Sequence, residues 1–346
     1  MKTIDAANFP AQPIRPLPAD AHLRSTPSNV SWGLIPANAP PVLRIASGQT
    51  VRIDTVSQQG ITAGIDPVEF FGAAGIDPGQ VLDDVKQIYR NVKREPGAGG
   101  HVLTGPIYVD GAHPGDMLEV RILDVEFRID YGVNNSGPGM GAAPELLKEV
   151  ARNIIRLDLE RGVAKFSPRI ELPLAPFMGI MAVAPPVSQA PANTRPPGAF
   201  GGNMDLKTLT RGSTLYLPVF NEGAQFFTGD GHGLQGDGEV NGTAIEISLT
   251  PTLQFIVHPG AGRTLKWPHA EDRDCHYVMA MDTDLNEAAH LAIVESVAFL
   301  QAHVCLSTAD AYALTSLAVD FRIGEAVNHV KMVYGVIPKR LLLQAS

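Results

Sequence analysis

Hydrophobic positions along the chain recur mostly with a period of two. Thr50–Thr55 sets Val51 and Ile53 against Arg52 and Asp54, the mark of a half-buried strand. Leu118–Phe127 begins the same way, with Leu118, Val120 and Ile122 on one face. Short apolar runs at Pro41–Ile45, Ile107–Val109, Val163–Phe166, Ile170–Leu174, Met178–Val183, Ser213–Phe220, Thr243–Leu249, Leu249–Val257 and Tyr277–Met281 read as further strands. Many of them are separated by Gly and Pro turns, which predicts antiparallel meanders.

Helical spacing is confined to a few places. Leu82, Val85, Ile88, Tyr89 and Val92 predict a helix over Val81–Lys93, with Asp83 and Asp84 early and basic residues late, as the helix dipole favours. Leu147, Val150, Ala151, Ile154 and Ile155 predict another over Leu146–Ile155. From Asp284 to His303 and from Asp310 to Val319 the pattern is helical again, with Ser307 or Thr308 as the cap of the second. Lys331–Pro338 closes the chain as a strand. The expected fold is mainly β, with sandwich or barrel-like antiparallel sheets and a C-terminal helical segment; α+β is the alternative. The expected organisation is an extended Pro-rich arm over 1–29, a β-rich body over 30–283 and a helical segment over 284–346 packed on it.

Composition narrows the function classes. The 346 residues are 45% hydrophobic and 18% charged, with net charge -9. No basic stripe suggests nucleic acid or an anionic membrane as partner. No apolar run reaches membrane-spanning length, and none near the start has signal-peptide length, so a cytoplasmic location is expected. The two cysteines, Cys275 and Cys305, form no CxxC pair and exclude a disulfide framework or a Cys-rich zinc site. Cys305 reads as a buried, inert thiol within a helical pattern.

The chemistry concentrates in Phe220–Glu246 (FNEGAQFFTGDGHGLQGDGEVNGTAIE). Asp230, His232, Gln235, Asp237 and Glu239 stand there among alternating glycines. A helix would not survive those glycines, so a folded loop between two strands is expected. Asp230 and His232 are zinc-ligand types one residue apart, which in an extended segment point the same way. Asp237 or Glu239 could serve as general base. The competing reading is a tight turn or a structural calcium loop, although calcium has little use for His232. His101 taken alone reads as an ordinary loop histidine.

Several stretches together resemble the acetamidase/formamidase family. They are His101–Ile107 (HVLTGPI) with Gly111–Asp116 (GAHPGD), Phe177–Gly179 (FMG) with Val183–Pro185 (VAP), and Gly201–Asp205 (GGNMD). The longest is Tyr216–Ala224 (YLPVFNEGA) running into Gly229–Glu239 (GDGHGLQGDGE). The resemblance runs from about Trp32 to the end. It departs at Phe200, at His113, and at Gln58-Gln59, where one subgroup carries His-Glu. It implies a homo-oligomeric hydrolase of small amides, with relatives that open lactams. On that basis His101, Asp230 and His232 are expected to converge on a metal, zinc first and calcium second. Metal-bound water would attack the carbonyl, Glu239 (or Asp237) would shuttle the proton, and Asn203, Asp205 and Gln235 would orient the amide. The rivals are a metal-free mechanism using Lys207 with Ser213 or Thr208, and a non-catalytic oligomeric binding protein with a structural calcium.

Overall fold

The computed structural model of the chain describes residues 17–342. Two large sheets share one apolar core. The nine-stranded sheet runs, from edge to edge, through Ala21–Leu23, Thr50–Ile53, Leu249–His258, Met117–Phe127, Thr214–Pro218, His269–Glu271, Cys275–Asp282, Lys331–Pro338 and Asp320–Glu325. The six-stranded sheet contains Gly201–Asn203, Phe177–Ala182, Phe226–His232, Val102–Asp110 and Val30–Trp32 in that order, with Leu43–Ala46 also beside Val102–Asp110. Inward residues of both sheets, such as Ile122, Leu215 and Leu253 against Ile180, Met181 and Phe226, form a single cluster. Phe226 meets Phe255 of the facing sheet edge-on, ring centroids 5.0 Å apart. The mainly β expectation is met in its sandwich form. Among the described residues no sheet closes into a barrel.

Most pairings are antiparallel, as the turn pattern predicts; Ala21–Leu23 with Thr50–Ile53 and Leu43–Ala46 with Val102–Asp110 are parallel. Within the expected N-terminal arm, residues 1–16 lie outside the described residues. Ala21–Leu23 is an edge strand of the chain's own nine-stranded sheet.

The helix expected over Leu146–Ile155 is not formed. Ala151–Asp158 is a strand of a four-stranded sheet, between Tyr131–Ser136 and Val163–Ser167, with Ile170–Pro173 beyond. Leu147 and Val150 of the supposed apolar helix face are exposed, so that face has nothing to bury against. The alternation of buried Ile155 and Leu157 with half-buried neighbours is the pattern that prevails. Phe70 and Phe71 lie on a short helix, Pro67–Gly72, whose N-cap Asp66 accepts from the Val68 amide. They pack on Tyr131 and on the Asp83–Asn91 helix, which forms as expected.

The C-terminal helices, Leu285–Val304 and Thr308–Ala318, are capped by Asp284 and Ser307. They cover the outer face of the nine-stranded sheet through Leu300, Ala311, Val278 and Ile337. No single described helix is long and apolar enough to cross a membrane. Cys305 is not buried: it is exposed and closes the first helix in the left-handed conformation, φ 52°.

Beneath that helix His269 lies edge-on to Phe299, which stacks on His303 at 3.9 Å. Burial, then the neighbouring His303 and His276, lower its pKa to about 4. A histidine held neutral in the fold but free to protonate when unfolded contributes stability above the unfolded value, and loses it as pH falls through roughly 6.5 toward 4. Allowing for the ring's partial exposure, that loss is about 2 kcal/mol. Denaturant titrations at pH 6.5 and pH 4 should therefore show His269→Gln losing less, or gaining more, stability on acidification than the wild type. An equal change in the variant would place the acid sensitivity elsewhere.

Candidate functional site

The glycine-rich stretch is not a loop throughout. Its first half, Phe226–His232, is the central strand of the six-stranded sheet, buried along its whole length. Glycine is needed there because neighbours approach closely. A Cβ on Gly231 would lie 2.5 Å from the Ile247 carbonyl oxygen. The register pairs Met178 with Gly231 and Ile180 with Gly229, which sets Gly179 across from Asp230.

Gly179 marks the centre of the site. A Cβ built there would stand 2.6 Å from Asp205 Oδ1, 2.8 Å from Asp230 Oδ2 and 2.9 Å from His232 Cε1. Around this clearing gather five carboxylates that are nearly all buried: Asp205, Asp230, Glu239, Glu246 and Glu325. Ligand atoms of Asp205, Asp230 and His232 lie within 4.8 Å of one another, as do those of His232, Glu239 and Glu246, and those of Asp205, Glu239 and Glu325. Three of the five, Asp205, Asp230 and Glu239, have positive φ (46°, 57° and 45°). Side-chain-bearing residues rarely adopt this conformation, and its clustering at one point is typical of a functional site.

The structure brings together most of the residues singled out from sequence. His232 Nε2 lies 3.5 Å from Asp230 Oδ2 and 3.4 Å from Glu246 Oε1. His101 stands at the margin, Nε2 3.8 Å from Asp230 Oδ2, with its Nδ1 3.1 Å from Thr194 Oγ1. Gln235 donates to the Asp205 carbonyl at 2.8 Å, and Asn203 is buried on the neighbouring strand. Asp237 is not in the cluster. Its Oδ1 accepts from the Tyr334 hydroxyl and its Oδ2 pairs with Lys207, each at 2.8 Å. Lys207 is thereby occupied, and Ser213 donates to the Thr210 carbonyl. Phe200 packs beside Gly198 and Gly202.

Two carboxylates were missed. Glu246 bridges to the backbone of both Val133 and His232 and is held by the Gln58 amide at 2.8 Å and the Ala244 amide at 2.9 Å. The expected strand Thr243–Leu249 is only these isolated bridges until Leu249. Glu325 comes from the strand Asp320–Glu325 and is docked by a parallel bridge to Gly238. An acidic residue within the otherwise apolar run Ala244–Ile247 was the available signal for Glu246. Glu325 gave none.

The electrostatics follow from crowding. Burial, then Glu239 and Glu325, hold the Asp205 carboxyl well above its usual range. Burial outweighs His232 and, with Glu246 and Glu325, raises Glu239 likewise. Burial raises Glu246 to about 7 against the pull of His232. Burial would lower His232, but Glu246 and Asp230 outweigh it and lift the imidazole to about 10. Asp230 is lowered, because His101 and His232 overcome its burial.

Polar groups here are left unsatisfied. Among the described residues, fifteen buried side-chain polar atoms lack a partner, and eight belong to this cluster or its rim. They are Gln58 Oε1, Asn203 Oδ1, Asp205 Oδ1, Asp230 Oδ1, both His232 ring nitrogens (Nε2 has carboxylate neighbours but no aligned hydrogen bond), Gln235 Oε1 and Glu325 Oε2. Buried polar atoms are normally paired, so this concentration calls for a ligand. Carboxylate oxygens plus imidazole nitrogen within one small space suit a divalent cation, and the acceptors of Asn203 and Gln235 suit a donor such as an amide N–H.

Comparison with known proteins agrees. In an alignment 204 residues long, the chain is 32% identical to the acetamidase of Mycolicibacterium smegmatis, with 41% of this chain and 49% of that protein covered. The matched region spans about half the length of the curated relatives. Among solved structures, a predicted acetamidase/formamidase from the thermophile Thermoanaerobacter tengcongensis is similar over 94% of this chain and 97% of its own, at 26% identity and TM-score 0.78. The acetamidase of Bacillus halodurans is similar over 94% and 99%, at 28% identity and TM-score 0.77. The family model for the acetamidase/formamidase family matches residues 37–189 and 186–342. The chain therefore belongs to the acetamidase/formamidase family.

Proposed function

We propose that this chain hydrolyses a small amide or lactam carbon–nitrogen bond at the cluster around Gly179, with a divalent cation, zinc first, as cofactor. The observation that carries the reading is the concentration of unpartnered buried polar atoms on the residues gathered around Gly179. Family membership supplies the reaction class. Asp205, Asp230 and His232 would hold the cation, with His101 presenting Nε2 beside Asp230 and Thr194 fixing its ring. When bound, the cation polarises the substrate carbonyl and lowers the pKa of the attacking water.

The chain's own residues supply the rest. Asn203 Oδ1 and Gln235 Oε1 accept from the amide nitrogen and orient the carbonyl. Glu239 takes a proton from water as the new carbon–oxygen bond forms, then delivers it to nitrogen as the carbon–nitrogen bond breaks. The products are a carboxylic acid and ammonia or an amine. The strands around the site exclude bulk water, which strengthens every electrostatic interaction inside.

The alternative is a structural calcium in a non-catalytic oligomer, and the five-carboxylate shell gives it a specific basis. One experiment separates the two. Product release is measured from formamide, acetamide, propionamide and a γ-lactam, with metal content determined on the same sample. Turnover should vanish with a chelator and return with zinc. Metal bound without turnover of any compound, and a melting temperature that falls on chelation, would give the site to the structural ion. We also propose self-association through the C-terminal helices, where Tyr312 and Leu317 are 62% and 84% exposed. A monomer by sedimentation would refute it.

A further inference from the structure

A chamber of about 250 Å³ opens beside Glu239 and Gln235. We infer that it receives an apolar substituent of the amide, so that the substrate class is amides carrying about four to six carbons there, rather than formamide or acetamide. The inference rests on the amidase reading of the site. Much of the chamber's lining is apolar: Ile155, Phe166, Leu172, Leu234 and Ile245. At roughly 30 Å³ per group, the volume share of a water molecule, the space holds about eight non-hydrogen groups. A formyl or acetyl group would leave most of it to water.

The chamber's polar side is satisfied from within. Asn134 donates to the carbonyls of Thr243 and Ala244, each at 3.0 Å, and Asn241 donates back to Asn134 Oδ1 at 2.8 Å. Asp237 is taken by Lys207 and Tyr334. Gln235, also in the lining, keeps an unpartnered acceptor, Oε1, to which the amide itself would donate. At the outer rim Phe166 and Val240 are 49% and 65% exposed, an apolar surface that an alkyl chain would cover. Ile155, Phe166 and Leu172 belong to the small four-stranded sheet, which thus adds an apolar side to a highly charged centre.

The test compares kcat/KM for acetamide, hexanamide and N-butylformamide on zinc-loaded protein; the last two place the chain on the acyl and the amine side. Each buried methylene is worth roughly a factor of four, so one of the longer compounds should exceed acetamide by at least about tenfold. Phe166→Ala should shrink that ratio several-fold, and Phe166→Leu should restore most of it. Turnover of acetamide with no gain for either longer amide would overturn the inference and leave the amidase reading standing. If no amide is turned over, the amidase reading fails, and calorimetric titration with hexanamide then decides. Binding that weakens in Phe166→Ala supports the chamber; no binding, or binding indifferent to Phe166, overturns it.

Discussion

Gly179→Ala is expected to lower amide turnover by at least about a hundredfold while the chain still folds. The added methyl would fall between Asp205 Oδ1, Asp230 Oδ2 and His232 Cε1, at 2.6, 2.8 and 2.9 Å, so at least one of these groups must move. All three are buried, and the backbone of Asp205 and Asp230 is itself in an uncommon conformation, so they cannot swing outward freely. A displacement near 1 Å in a positioned group can cost about two orders of magnitude in rate. Overpacking costs about 1–3 kcal/mol, which a fold with two sheets sharing one large core can absorb. The checks are kcat/KM, metal content and a thermal melt. A variant that melts within a few degrees of wild type yet loses both metal and turnover supports the clearing as the cation's place. Full activity would mean that the chemistry lies elsewhere.

How much of this was legible in the sequence depends on distance along the chain. The strands with clear alternation, Thr50–Ile53 and Met117–Phe127, formed where their patterns put them, because a one-residue slip would turn Val51, Ile53, Leu118 and Val120 out of the core. Leu146–Ile155 failed because apolar residues at helical spacing are also compatible with a strand that buries only part of the set. In the site, Asp230, His232, Gln235 and Glu239 could be found because they lie within ten residues and glycine flagged their special backbone. Phe226–His232 was expected as a loop because glycine is a poor strand former; close approach of Ile247 and Leu103 overrides that propensity. Glu325 was invisible because only the pairing of Gly238 with its strand, 87 positions away, brings it in.

Glu239→Gln is expected to reduce turnover by a factor of roughly 10²–10⁴ without loss of metal. Glutamine keeps the volume and one acceptor but cannot carry the proton from water to nitrogen. Burial and the carboxylates of Glu246 and Glu325 raise the Glu239 pKa, despite His232, so its proton is retained further toward neutral pH than an ordinary glutamic acid would allow. A group that both accepts and returns a proton works best in that range. Glutamine also cannot ionise within a crowd of buried carboxylates, so the metal-free variant should melt no lower than metal-free wild type. Asp237→Asn provides the contrast. It removes the charge paired with Lys207 while leaving an oxygen to accept from Tyr334, so it should cost about 1 kcal/mol of stability and leave kcat within several-fold. If Glu239→Gln instead retained turnover and Asp237→Asn abolished it, the proton would pass through Asp237, and the pairing with Lys207 would have to open during catalysis.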